Sequence, residues 1–348
     1  MREPAFWHRP RSWQSRLLSP ISLLYGAVAA RRMTRTGINA GVPVICVGNY
    51  HVGGAGKTPM VLALTSLLRE LGEQPVVLSR GYGGRLRGPV LVDPAAHDAG
   101  DVGDEPLMMA ARVPVVVSRD RAEGVGLVKV QGASVILMDD GFQNPSIAKD
   151  LALIMLDGVR GLGNGRVFPG GPLRAPLPPQ LSRTDALVVI GEGNASEAVA
   201  LRVAAAGKPV FRARLQPDPQ VVAALMGRPI LAFAGIGDPQ RFFRTLRASG
   251  LDIKAEQAFA DHHPFTADDI GALVRAAKRD GLSLVTTEKD LARLRVSGAE
   301  QREDQRDLAI TAFPVTLEFS DLPALRGLIT QRLSTARMSQ PPAFRAPG

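Results

Sequence analysis

An α/β fold with a phosphate-binding loop in its first half, followed by a second α/β unit, is predicted by three observations. First, an apolar, β-branched run at residues 42–47 leads into Gly48, Gly53, Gly54 and Gly56, then Lys57-Thr58. After these, Val61, Leu62, Leu64, Thr65, Leu68 and Leu71 recur at helical spacing, with Gly72 placed to end the helix. Strand, glycine-rich turn, Lys-Thr and helix in that order form the context in which a phosphate loop is credible. Second, residues 134–138 are an apolar run ending in Asp139-Asp140-Gly141. A strand ending in aspartate downstream of such a loop is the Walker-B pattern, whose carboxylate holds Mg²⁺ directly or through water. Third, strand and helix signals start afresh after residue 208 and read as a second unit.

The chemistry of the loop follows from its residue types. Glycines let successive backbone N–H groups converge on phosphate oxygens, and the helix N-terminus adds a partial positive charge. Gly53, Gly54, Ala55 and Gly56 form the cradle, Lys57 reaches the β/γ-phosphates, and the Thr58 hydroxyl is a Mg²⁺ ligand. The first glycine of the usual G-x-x-x-x-G-K-[ST] pattern is His51 here, so the match rests on the second half of the motif.

A chain of 348 residues with 45% apolar and 22% charged residues is ordinary for a soluble globular protein and long enough for a sizeable core. The lone cysteine, Cys46, excludes an internal disulfide and fits a reducing compartment. A net charge of +9 calls for an anionic partner. Residues 1–41 hold seven arginines against a single glutamate, a local +6, together with both tryptophans, Trp7 and Trp13. That pairing of charge and aromatics points to a membrane interface and disfavours nucleic acid.

Taken in order, Ser19-Pro20 reads as an N-cap followed by the first helical residue, with Leu18 and Leu23 as a hydrophobic staple. Leu17, Leu18, Ile21, Leu24, Tyr25 and Val28 make one apolar stripe, closed by Arg31, Arg32 and Arg35. The uncharged run is shorter than the roughly 20 residues of a spanning helix. Two placements stay open: a helix packed on the domain, or one lying in the membrane interface. Residues 75–79 form the second strand, before Arg80-Gly81-Tyr82-Gly83-Gly84; Gly103-Asp104-Glu105-Pro106 precedes a short helix, where an acidic pair is most often a cap. Strands follow at 113–118, 151–157 and 185–190, and Arg119-Asp120-Arg121 opens a helix. The long Gly/Pro-rich connection between 157 and 185 is functional or disordered on its length alone. In the second unit, strands are expected at 229–234 and 282–287, with Thr266 capping a helix, and 309–319 is able to pair with 209–215.

These pieces together resemble one family, the tetraacyldisaccharide 4'-kinases, or lipid A 4'-kinases, of Gram-negative bacteria. The resemblance is carried by residues 48–49, 53–59, 79–84, 103–106, 119–121, 139–143, 171–174, 234–237, 261–262 and 286–290, nearly the whole chain in order. It implies a P-loop NTPase-like α/β/α domain plus a second, smaller α/β/α domain joined by a two-stranded β hinge. The corresponding boundaries are a membrane-interface segment at 1–35, an ATP-binding domain at 36–207 to which 320–335 returns, hinge strands at 208–216 and 311–319, a second domain at 217–310, and a flexible tail at 336–348. The implied reaction uses ATP and Mg²⁺ to phosphorylate the 4'-hydroxyl of a tetraacyldisaccharide 1-phosphate, giving lipid IVA. It takes place on the cytoplasmic face of the inner membrane, on an acylated glucosamine disaccharide, with a peripheral, monomeric enzyme and no nucleic acid.

By the same resemblance, Asp104 is the general base, His262 pairs with it, and Lys57 and Arg174 face phosphate. Thr58, Asp139, Asp140 and Glu105 serve the metal, and Asn49, Arg80, Tyr82, Arg119, Gln143 and Asn144 serve the substrate. Two positions depart from the family: Asn144 follows Asp139–Gln143 in place of histidine, and Ala175 follows Arg174 in place of glutamate. An amide donates to phosphate but never becomes cationic. The alternative of a different class is a membrane-recruited P-loop ATPase switch; a guanine-specific one is disfavoured because Asn-Lys-x-Asp does not occur.

Overall fold

The run read as the first buried strand is β1, Val44–Asn49, and it lies near the middle of a nine-stranded sheet. The other early strands are β2 Pro75–Ser79, β3 Val90–Leu91, β4 Val115–Val117, β5 Val135–Asp139, β6 Leu151–Asp157, β7 Ala186–Ile190 and β8 Val210–Pro217. The second unit supplies β9 Ile230–Ala234, β10 Ile253–Ala258, β11 Ser283–Thr286 and β12 Thr311–Ala312, and β13 Val315–Phe319 returns to the large sheet. This computed structural model describes residues 4–9, 12–54, 56–296 and 310–339.

Strand order in the large sheet is β13-β8-β7-β6-β1-β5-β2-β4-β3. All pairs are parallel except β13 with β8 and β3 with β4. The chain moves from β1 to β2 on one side and reaches β6 on the other, so β1 sits at the switch point, where α/β sheets open a crevice at their carboxyl ends. Successive residues of one strand go to opposite faces. Ile45, Val47, Val77 and Leu137 join one apolar cluster, while Val44, Cys46, Val76 and Ile136 join the other. Burial on both faces is why these strands read as continuous apolar runs. The second sheet, β10-β9-β11-β12, is parallel throughout.

The structure resolves or corrects the sequence reading at four places. The stretch expected as one strand at 309–319 is divided at Pro314, which has no N–H to give a ladder. Its first part, β12, extends the second sheet, while β13 pairs antiparallel with β8 from Val315↔Pro217 to Phe319↔Ala213. The connection between β6 and β7 is ordered: Val167 and Leu173 form a bridge, and Leu173 bridges His51 as well. Asp104 is no cap. It is the first residue of the helix Asp104–Ala110, whose N-cap is Gly103 at φ +92.

The fourth concerns the N-terminus, where α1 (Trp13–Leu17) leads into α2 (Ser19–Met33). Ser19 is not the cap. Leu18 holds that position, Pro20 is one residue further in, and the Ser19 hydroxyl donates back to the Ser15 carbonyl at 2.9 Å. The two helices turn Ser15, Ser22 and Gly26 inward, with Met33 buried at the end of α2, and present the apolar stripe outward. Trp13, Leu17 and Leu24 are each 70% exposed, and Ile21, Leu23, Tyr25 and Val28 are exposed with them. No helix among the described residues is long and apolar enough to cross a membrane.

Candidate active site

The loop after β1 runs into α3, Lys57–Glu70. Gly56 caps that helix at φ +76, a backbone angle that favours glycine, and a Cβ there would stand 2.6 Å from the end of the Ile190 side chain. Gly53 sits at φ +102, and its carbonyl accepts from Asn49 Nδ2 at 3.0 Å. Around Gly54 nothing lies within 4 Å of a Cβ position, so that side of the loop is open for a ligand. Ala55 lies outside the described residues. Lys57 and Thr58 are the first two residues of the helix, with Lys57 Nζ 3.7 Å from Asp140 Oδ1.

Asp139 ends β5 beside Val47 of β1, which carries its carboxylate to the same crevice. Asp140 follows at φ +47, a left-handed conformation uncommon outside glycine. Arg121 holds this turn. Its Nη2 donates to the carbonyls of Asp139 at 3.1 Å and Asp140 at 3.0 Å from a site that is itself buried. Arg174 donates from Nη1 to Asp140 Oδ1 at 2.6 Å. Burial, then Glu105 and Asp140, push the Asp139 carboxyl up to about 7, against the opposing charges of Lys57 and Arg121. Burial would raise Asp140 as well, but Lys57 and Arg174 more than offset it and hold that carboxyl well below the usual range.

The second centre forms where the two units meet. His262, at φ +56 before the helix Ala267–Asp280, places Nδ1 3.2 Å from Asp104 Oδ2. The helix Glu288–Val296 adds two cations: Arg293 donates from Nε to the same oxygen at 2.8 Å, and Lys289 Nζ stands 3.6 Å from it. Asp104 Oδ1 accepts from the Glu105 amide at 3.0 Å. Burial alone would raise the Asp104 carboxyl, but His262, Lys289 and Arg293 together hold it well below the ordinary range, so it is ionised at neutral pH. Lys289 also pairs with Glu105 at 3.1 Å. Beside this centre lies a cleft of about 560 Å³ lined by Arg80, Tyr82, Arg119, Asp261 and His262, with the Tyr82 and His262 rings 5.5 Å apart.

The structure therefore brings Lys57, Arg174, Asp139 and Asp140 to one centre and Asp104 and His262 to another, with Arg80, Tyr82 and Arg119 along the cleft. Two expected substrate residues also have local partners. Gln143 Nε2 donates to the Asn49 carbonyl at 2.7 Å and to Gln180 Oε1 at 2.9 Å. Asn144 Oδ1 accepts from the Ser146 amide at 2.8 Å and closes a turn. The site-candidate set read from the sequence lacked Lys289, Arg293 and Arg121. Lys289 and Arg293 are four apart and so share a helix face, but only the packing of that helix against Asp104 reveals the face's purpose.

The sequence pattern of the family described as Tetraacyldisaccharide-1-P 4'-kinase matches residues 14–334. The chain belongs to that family. The kinase is 75% identical over 348 residues to the tetraacyldisaccharide 4'-kinase of Bradyrhizobium sp. BTAi1, covering 100% of each chain. It is 64% identical over 337 residues to the enzyme of that name from Nitrobacter winogradskyi, covering 97% of this chain and 99% of the relative. Among solved structures it resembles LpxK from Aquifex aeolicus, crystallised in complex with ATP, at 28% identity and a TM-score of 0.71. That match covers 92% of the kinase and 99% of the other chain. The kinase is an ATP-dependent phosphotransferase, and the reading as a switch is not favoured.

The donor set fits a magnesium ion. Among the described residues, no three His, Cys, Asp or Glu side chains are gathered closely enough to cage a metal. Mg²⁺ is commonly held by one or two carboxylates plus phosphate oxygens and water rather than by such a cage. Asp139 ends β5 and Asp140 follows it beside Lys57, so two carboxylates stand next to the loop that would hold the phosphates.

Proposed function

We propose that this kinase transfers the γ-phosphoryl group of ATP to the 4'-hydroxyl of a tetraacyldisaccharide 1-phosphate, with Asp104 accepting the hydroxyl proton. The observation that carries the assignment is the 3.2 Å approach of His262 to Asp104, one residue from each unit, beside the cleft that His262 helps to line. A carboxylate held below the ordinary range is a weak base, so its usefulness depends on position and on a partner that steadies it. His262 orients Asp104 and shares the proton. Lys57, the loop amides and Arg174 face the transferring phosphoryl, where positioning and charge neutralisation make up most of the catalysis. Thr58, Asp139 and Asp140, with Glu105 nearby, would hold Mg²⁺, which when bound supplies charge neutralisation between the β- and γ-phosphates. Arg80, Tyr82 and Arg119 offer the disaccharide two cations and a ring. The test is ATP turnover with and without the acylated disaccharide: phosphorylated lipid should appear in step with ADP, and lipid-independent hydrolysis with no phospholipid would refute the assignment.

The outward apolar stripe of α1 and α2, bordered by Arg16, Arg31, Arg32 and Arg35, supports peripheral attachment to an anionic surface, the cytoplasmic face of the inner membrane. Each arginine near such a surface contributes about 1 kcal/mol, and a partly buried stripe adds to it, enough for reversible attachment. Leu17→Glu with Leu24→Glu, both at exposed positions, should abolish co-sedimentation with anionic vesicles and leave the melting temperature within a degree or two of the parent. High salt should weaken parental attachment. Unchanged sedimentation of the double variant rules this placement out.

A further inference from the structure

The inward face of the N-terminal segment carries Ser15, Ser22 and Gly26, and among the described residues of 4–33 the hydrogen bonds that tie it to the rest of the protein go to the connection that ends in Arg174. Asn164 is the hub. Its amide donates to the Trp7 carbonyl at 2.6 Å, and its Nδ2 reaches Ser15 Oγ at 2.9 Å, Gly170 O at 3.0 Å and Phe6 O at 3.4 Å. Its Oδ1 accepts from the Arg166 amide at 3.0 Å. Around this hub, Trp7 Nε1 donates to Pro169 O at 3.0 Å, the Gly170 amide to Ser22 Oγ at 2.9 Å, and Arg166 Nη1 to Ser19 Oγ at 2.7 Å.

The same connection is bonded on its other side to the phosphate loop. Leu173 N donates to Arg166 O at 3.0 Å and Phe168 N to Leu173 O at 2.9 Å, so the segment folds back on itself. Val52 N then donates to Pro172 O at 2.8 Å and Arg174 N to Tyr50 O at 2.9 Å. An unbroken set of short contacts thus runs from α1 and α2, through residues 164–173, to the Arg174 backbone and on to its guanidinium at Asp140.

We infer that Asn164 is a positioning residue for phosphoryl transfer: it locks the N-terminal segment to the 164–173 connection and so sets where Arg174 stands. The inference rests on the reading of Arg174 as a group facing phosphate. It gives the N-terminal helices two faces with two duties, apolar outward and positional inward. A displacement of about 1 Å in a group that must meet the transferring phosphoryl costs on the order of 10²-fold in rate. Loosening the hub is therefore felt at the active site through the placement of Arg174.

The test is a double-mutant cycle between Asn164→Ala and Arg174→Ala, with tetraacyldisaccharide 1-phosphate presented in detergent micelles so that vesicle attachment plays no part. Asn164→Ala should lower kcat by roughly 10- to 100-fold with little change in the KM for ATP. In the Arg174→Ala background the same change should cost less than about twofold, because the group it positions is already gone. Ser22→Ala and Trp7→Phe, which remove one hydrogen bond each to the connection, should show smaller losses of the same kind. They keep the test decisive should Asn164→Ala fail to fold, as judged by thermal unfolding. Equal losses in both backgrounds overturn the relay while leaving Arg174's role intact. Parental turnover by Arg174→Ala removes the reading of Arg174 itself, and the relay with it.

Discussion

Lys57→Ala and Thr58→Ala, purified and melting as the parent does, are each expected to lose nearly all phosphoryl transfer. Lys57 is the first residue of α3, and its ammonium stands 3.7 Å from Asp140, inside a crevice where its side chain is only 10% exposed. A charge fixed where phosphate charge develops is worth about 10²–10³ in rate for one donor. Loss of the lysine also leaves Asp139 and Asp140 facing incoming phosphate with less opposing charge, which adds to the cost. The measurement is product formation at saturating ATP beside a thermal melt. Folded Lys57→Ala with parental turnover would remove the phosphate loop from the mechanism.

The second large effect is expected at Asp104. Replacing it by alanine should lower kcat by roughly 10²–10⁴, the usual worth of a positioned general base. His262→Ala should cost a similar or smaller factor. The double variant should lose far less than the product of the two, since both act on one proton. Asp104 also balances Arg293 and Lys289, and removing one partner of a buried ion pair costs about 3–5 kcal/mol. Asp104→Asn is therefore the companion variant: it keeps the shape, removes the base and tests whether lost rate follows lost stability. Losses that multiply fully in the double variant argue against a dyad.

Much of this site was legible in the chain. Strand, glycine turn and Lys-Thr lie within seventeen consecutive residues, Val42 to Thr58, and local spacing alone predicts their arrangement. The Asp139-Asp140 pair could be read because β5 is a plain apolar run that stops at a charge. Asp104 and His262 had no such local signal. They are 158 positions apart, and only the family resemblance linked them, with composition suggesting a cap. Arg293 was illegible for a related reason: an arginine on a polar helix ordinarily faces water, and here it is buried by contact between the two units. The N-terminal stripe was read correctly as a stripe, but periodicity does not say which side faces the body. The inward side is occupied by serines and a glycine, and the serines bond to Asn164, Arg166 and the Gly170 amide of a connection that carries no periodic pattern at all.

The return of the chain from the second unit has a consequence for the order of assembly. After β13 the helix Leu322–Met338 packs Leu325, Ile329 and Leu333 into the same apolar cluster as Met60, Leu64 and Leu68 of α3. The helix that presents Lys57 thus waits for a cover made about 250 residues later, a delay of roughly 10–50 s at ribosomal speeds of about 5–20 residues per second. For that interval the nascent chain carries a nucleotide-type loop on an apolar helix that lacks this cover, and the kinase should become resistant to protease within residues 57–70 only once the Leu322–Met338 helix has left the ribosome. Protection there in chains stalled before residue 322 would contradict this timing. Competence for ATP then waits on the Leu322–Met338 helix, made after the whole of the second unit.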